Sequence, residues 1–197
     1  RIIGEHHNIS GDDNANRLLW TANMDRPPAG TAARETADVV YFVGCVGSFF
    51  PRSYRLPQTM AQLMDRAELD YAVLGGEEWC CGYPLLINGD LERAGELIRH
   101  NLDRIKDMQP KQVVFTCPSC LHIWHHVYRE AAGGKLLVAT AGGIRVDVVK
   151  DALKAGADIL VVGRAITASK DIGHAADEFL DQLNRDEIDQ FRVMTDF

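Results

Sequence analysis

Every cysteine of this 197-residue chain belongs to one pattern: Cys45, a gap of 34 residues, the pair Cys80–Cys81, a gap of 35 residues, then Cys117-Pro118-Ser119-Cys120. Each thiol-bearing segment follows a hydrophobic run of strand character: Val39–Val43 before Cys45, Leu69–Leu74 before Cys80, and Gln112–Phe115 before Cys117. Three such strand ends, side by side in a parallel sheet, would carry all five sulfurs to one place. That is the donor set of a metal or cluster site. A disulfide framework fits poorly, because no signal-like segment points to an extracellular setting. Buried, unligated thiols are the ordinary account of scattered single cysteines. They do not account for five thiols in this spacing.

The remaining chain alternates strand and helix patterns. Strands are expected near 38–44, 69–74, 112–116, 135–140 and 158–162, and helices near 57–67, 90–107, 121–130, 146–155 and 172–183. Alternation of this kind predicts an α/β fold, a parallel sheet with helices on both faces and binding loops at the carboxyl ends of the strands. At 46% hydrophobic residues the chain can bury an ordinary core. Residues 1–36 are polar and read as a linker from an upstream module. Residues 37–132 form the cysteine-bearing unit, and residues 133–197 form a β/α appendage of different character. No apolar run reaches the length of a membrane span. A net charge of −7 argues against nucleic acid and anionic membrane surfaces as partners, and the chain reads as cytoplasmic. It leaves room for docking to a basic patch on a redox partner.

Metal sites of this kind need thiolates, and Cys117 and Cys120 open a helical segment whose free amides favour negative sulfur. The neighbours Cys80 and Cys81 do not easily share one metal atom and suit two atoms of one cluster better. A structural zinc tetrathiolate drawing on four of the five thiols remains an alternative. On a helix, His122 and His126 share a face and would be placed to supply protons during thiol chemistry, although a half-exposed face without a role is the plainer account. His6, His7, His100 and His174 show no pattern. Glu77 and Glu78 read as solvated loop charges.

The stretches Gly44-Cys45-Val46-Gly47, Trp79-Cys80-Cys81-Gly82-Tyr83-Pro84 and Thr116-Cys117-Pro118-Ser119-Cys120 resemble the cysteine-rich CCG domain of heterodisulfide reductase catalytic subunits. The same domain occurs in iron–sulfur subunits of glycolate, lactate and glycerol-3-phosphate oxidoreductases. The resemblance implies a 4Fe–4S cluster in a noncubane form, with Cys45, Cys80, Cys81, Cys117 and Cys120 as ligands. It also implies ferredoxin-like or flavin redox partner subunits and a thiol or disulfide substrate, in the setting of methanogenesis. The disulfide-cleaving subunits carry two copies of the motif, and this chain carries one.

A second resemblance lies in Ala139-Thr140-Ala141-Gly142-Gly143-Ile144-Arg145 and Lys154–Thr167, which look like the last two β/α units of 3-hexulose-6-phosphate synthase, a barrel of the orotidine-monophosphate decarboxylase superfamily. It implies a phosphate held by Gly142, Gly143, Gly163 and Arg164. The Asp-x-Lys-x-x-Asp strand of that family has no equivalent here, so lyase chemistry is not expected. The join between the two resemblances falls near Ala131–Gly134.

Overall fold

Strand β1 (Val39–Phe42) is buried at every position, as a central parallel strand covered on both faces should be. The computed structural model describes residues 1–131, 137–141, 144–154, 159–162 and 164–183. In it β1 lies between β2 (Tyr71–Ala72) and β3 (Gln112–Phe115), while β4 (Leu137–Ala141) and β5 (Ile159–Val161) continue the sheet. The strand order is β2-β1-β3-β4-β5 and every pairing is parallel. Phe42 stands opposite Phe115, and Phe115 opposite Thr140. The fold class is therefore α/β, as the alternating pattern predicts. The two C-terminal strands join the sheet that bears the cysteines.

Helices make the crossovers. Among the described residues they are α1 (Ile2–His6), α2 (Gly44–Phe49), α3 (Arg55–Arg66), α4 (Tyr83–Ile87), α5 (Leu91–Met108), α6 (Pro118–Ile123), α7 (Arg129–Ala131), α8 (Val149–Lys154), α9 (Arg164–Thr167) and α10 (Ile172–Gln182). Alternation along the strands sorts the core into two layers. Val40, Phe42, Val113 and Phe115 meet Ile98, Leu102 and Ile105 of α5 together with Trp124. Val39, Tyr41, Tyr71 and Val114 meet Met60, Ala61 and Met64 of α3 together with Trp20. Helix α5 earns its place through apolar residues at three- and four-residue spacing, from Ala94 to Met108. The Asp90 side chain caps its start by accepting from the Arg93 amide.

The strand expected over 69–74 is only two residues long. Beyond Ala72 the edge turns away, and the Val73 amide donates to the Gly30 carbonyl at 2.8 Å in a 3₁₀ turn, Ala29–Thr31. Residues 1–36, read as a linker from their polarity, pack onto the sheet. Trp20 is fully buried beneath α3. Asn8, also fully buried, donates to the carbonyls of His6 and Asp12 and to Asn14 Oδ1, and accepts from the Ser10 and Gly11 amides. The polar groups gathered around Asn8 are thus satisfied among themselves, which lets that part of the segment lie against the core.

The chain visits β2 on one side of β1 and then β3 on the other. Such a reversal opens a crevice between the carboxyl ends of the two inner strands, where α/β folds bind their ligands. No helix among the described residues is long and apolar enough to cross a membrane.

Gly30 closes the β2 edge at contact distance, and a Cβ there would overlap the ring of Tyr71. That ring cannot swing away freely, since its hydroxyl is held by Asp65 Oδ1 at 2.8 Å. Gly30→Ala should lower stability by about 1–3 kcal/mol, the usual cost of overpacking. Urea unfolding that gives an unchanged midpoint would show that the edge relaxes without strain.

Candidate metal centre

The crevice between β1 and β3 is where the thiols gather. After Phe42 the chain turns through Gly44, whose φ of 77° belongs to the left-handed region, and enters α2 with Cys45 in its first turn. A Cβ on Gly44 would lie 3.0 Å from Cys120 Sγ, so the absence of a side chain there lets that sulfur approach β1. After β3, Cys117 stands at the N-cap position of α6 and Cys120 lies in the first turn of that helix. Cys80 and Cys81 arrive on an extended stretch that ends at Gly82, with φ of 90°.

That stretch is held from the side of α5. Asn101, fully buried, accepts from the Trp79 amide at 2.9 Å and donates to the Cys80 carbonyl at 3.1 Å. The Tyr128 hydroxyl donates to the Cys81 carbonyl at 3.0 Å and accepts from Asn101. Tyr128 reaches it from a π-helical turn, Trp124–Tyr128, that interrupts the helix between α6 and α7.

The sulfurs form a connected row. Side-chain hydrogen bonds link Cys45 to Cys80, Cys80 to Cys81, Cys81 to Cys120 and Cys120 to Cys117. Donation from Cys120 and Cys80, with help from the Tyr83 amide, holds the Cys81 thiol down to about 5 against its burial. Its bond with the Cys120 sulfur, with the Ser119 and Cys120 amides, holds Cys117 down to about 6 against burial. The donors move the other way. Cys45 is pushed up by its bond to Cys80 and by burial, and Cys120 by its bonds to Cys117 and Cys81. At Cys80 the bond received from Cys45 lowers the value, but donation to Cys81 and burial outweigh it and bring it up to about 12. Along the row Cys81 and Cys117 are thus held down while Cys45, Cys80 and Cys120 are pushed up. Four of the five are buried and Cys117 is half-buried.

Among the described residues, no group of three or more His, Cys, Asp or Glu side chains closes around a point that would hold a single ion. A row of sulfurs that touch in sequence differs from a tetrahedron around one atom. The donor set itself, all thiol, buried and with two members already ionised, fits soft metals and iron–sulfur clusters.

Glu78 is the main correction to the sequence reading. It is only 1% exposed, not a solvated loop charge. Its carboxylate accepts from the Val43 and Gly44 amides, both at 2.9 Å, and from Arg17 Nη1 at 2.8 Å. Burial pushes the carboxyl up, while Arg17 and the two amides oppose that shift. All three partners donate, so the arrangement suits the ionised form. Glu77, by contrast, is exposed. Arg17 carried no signal that pattern reading could find, and Asn101 only its place on the apolar face of α5.

The histidines divide. His122 and His126 lie on one exposed face with ring centroids 4.5 Å apart, and they border a shallow groove of about 290 Å³ with Tyr83, Leu86 and Ile87. His7 and His100, expected to form no pattern, sandwich Trp79 with both ring centroids at 3.6 Å. His100 Nε2 also bonds the Glu77 carbonyl, and the His7 carbonyl accepts from the Cys80 amide at 2.7 Å. Gly142, Gly143 and Gly163 lie outside the described residues. Arg164 begins α9, and its side chain lies outside them as well.

Known proteins are similar in two ways. The family model for the CCG cysteine-rich domain matches residues 39–123, a match that fits metal or iron–sulfur binding. A stretch of 78 residues, 39% of the chain, is 82% identical to a bifunctional enzyme Fae/Hps of Methanoregula boonei, of which it covers 20%. The like-named protein of Methanospirillum hungatei JF-1 is 76% identical over 78 residues, again 39% of this chain and 20% of that protein. That of Methanococcoides burtonii is 49% identical over 105 residues, 51% of this chain and 26% of that protein. The chain spans about a fifth of the length of the first of these curated relatives.

Cys117 combines partial exposure with a depressed value, so in the metal-free protein it should be the first thiol alkylated. Its rate should reach a plateau above pH 7 and halve near pH 6, the value to which it is lowered from 9.0. Because the folded-state value is the lower one, the thiolate stabilises the fold fully above pH 9 and loses that contribution as pH falls through 6. Peptide mapping after brief iodoacetamide pulses checks the order. Cys45 reacting first, or a Cys117 midpoint near 9, would contradict it.

Proposed function

We propose that residues 39–123 hold an iron–sulfur cluster of the heterodisulfide reductase type, with Cys45, Cys80, Cys81, Cys117 and Cys120 as its ligands. On this reading the chain is an electron-transfer part of an oxidoreductase acting on thiol or disulfide substrates. The observation that carries the reading is the unbroken row of five sulfurs at the switch point of a parallel sheet. A row of this kind suits several metal atoms bridged by sulfide better than one zinc ion, and the cysteine-rich match supports the same assignment.

Bound there, a cluster supplies one-electron storage and delivery. The chain's own residues do the rest. Asn101 and Tyr128 hold the backbone of the adjacent cysteines, so Cys80 and Cys81 are presented in one arrangement. The donors around Cys81 and Cys117 keep those sulfurs ionised near neutral pH, which removes most of the cost of deprotonating ligands. The burial of four thiols keeps water and oxidants away. Reducing a disulfide to two thiols consumes two electrons and two protons. In this proposal a ferredoxin-like or flavin partner sends the electrons singly, and His122 and His126, on the exposed face beside Tyr83, supply protons. The single motif copy assigns this chain one half of a site that a second cysteine-rich unit completes.

A second reading takes residues 133–197 from their resemblance to the last two β/α units of a 3-hexulose-6-phosphate synthase barrel, and the relatives' printed name, bifunctional enzyme Fae/Hps, is compatible with it. In this chain β4 and β5 serve as sheet extension. A phosphate cradle at Gly142, Gly143, Gly163 and Arg164 belongs to this second reading.

Anaerobically prepared chain should contain about four irons and matching acid-labile sulfide, with a broad absorption near ~400 nm. Cys81→Ser should abolish or convert that spectrum, because its sulfur sits centrally in the row. Zinc at about one per chain without sulfide would replace this reading by the structural zinc site.

A further inference from the structure

Arg17 is 1% exposed, and one arm of its guanidinium reaches a cysteine sulfur. Nη1 donates to Glu78 Oε1 at 2.8 Å and lies 3.4 Å from Ser48 Oγ. Nε donates to Asn14 Oδ1 at 3.0 Å. Nη2 points at Cys45 Sγ at 3.4 Å, within hydrogen-bond reach of sulfur, and the Phe49 ring packs 5.0 Å from the guanidinium carbon. The Ile9 amide also donates to the Cys45 sulfur. Cys45 is therefore contacted by two donors from residues 9–17, a stretch outside the matched cysteine-rich region 39–123.

Structural economy alone does not explain this arrangement. Glu78 would satisfy a single cation through one nitrogen, and a buried ion pair is seldom more stable than apolar residues of the same shape. A planar fork that serves carboxylate and sulfur at once is a geometry that lysine cannot copy. Hydrogen bonds to ligand sulfurs draw electron density from them and favour the reduced metal centre.

We propose that Arg17 is a positioning residue for the metal centre, one that holds the Cys45 sulfur and sets the reduction potential above the value that five unassisted thiolates would give. The inference rests on the cluster reading and adds to it a tuning device delivered by the N-terminal segment. It implies that removal of residues 1–17, or displacement of that segment by a partner, lowers the potential while all five ligands stay in place.

The experiment uses the full chain loaded anaerobically with iron and sulfide. Two variants are compared with the parent. Arg17→Lys keeps a buried cation facing Glu78 and loses the second arm of the fork. The double variant Arg17→Met, Glu78→Gln removes both charges together, so that neither is stranded. Iron is measured in each, and per cluster formed both should show a midpoint shifted to more negative potential. In the cobalt(II)-loaded chain the sulfur-to-cobalt charge-transfer band should move to lower energy. A midpoint and band equal to the parent's, with iron content kept, would overturn the tuning role and leave the cluster reading standing. A parent chain that takes up neither iron nor cobalt would overturn both.

Discussion

The Glu78 carboxylate is the point at which three chain segments meet. It takes the Val43 and Gly44 amides at the end of β1, stands two residues before Cys80, and holds Arg17 of the N-terminal segment at 2.8 Å. Removing either partner of a buried pair strands the other, at about 3–5 kcal/mol. Replacing both at once is far gentler, so the pair adds little to net stability. Its contribution is arrangement. With these bonds made, Cys45 can occupy only one position relative to Cys80, although 34 residues separate them.

Around that pivot, the fold manages charge by sharing protons. Five thiolates packed together would repel strongly, and five thiols would bind no metal. The row lies between these extremes: Cys81 and Cys117 are drawn toward the thiolate by hydrogen bonds from neighbours, while Cys120 is pushed the other way. Backbone amides at Ser119, Cys120 and Tyr83 contribute the same kind of support. Burial raises the unpaired thiol and strengthens each hydrogen bond to the thiolates. The parallel sheet makes this possible, since the carboxyl ends of β1 and β3 face the same way and flank a crevice that their neighbours do not fill.

What pattern could reveal was local. Strand runs before Cys45 and Cys117, the periodicity of α5, and the cysteine spacing each announce themselves within a few residues. The fold class and the identity of the thiols followed from them. Long-range polar contacts left no such trace. Glu78 sits 61 residues from Arg17, and nothing near either residue marks it as buried. Asn101 occupies the apolar face of α5 between Ile98 and Leu102, where its spacing hints at burial but not at what it bonds. His7 and His100 look unrelated until Trp79 brings them together. The N-terminal segment misleads for a physical reason: its polar side chains satisfy one another around Asn8, so a composition typical of a linker lies folded against the core.

On the proposed reading several metal atoms share one row of sulfurs. X-ray absorption at the metal edge of the anaerobically loaded chain tests that directly. The spectrum should show a first shell of sulfur alone and a second shell from neighbouring metal atoms. A sulfur shell with no metal–metal scattering, or a first shell containing nitrogen or oxygen, would contradict it.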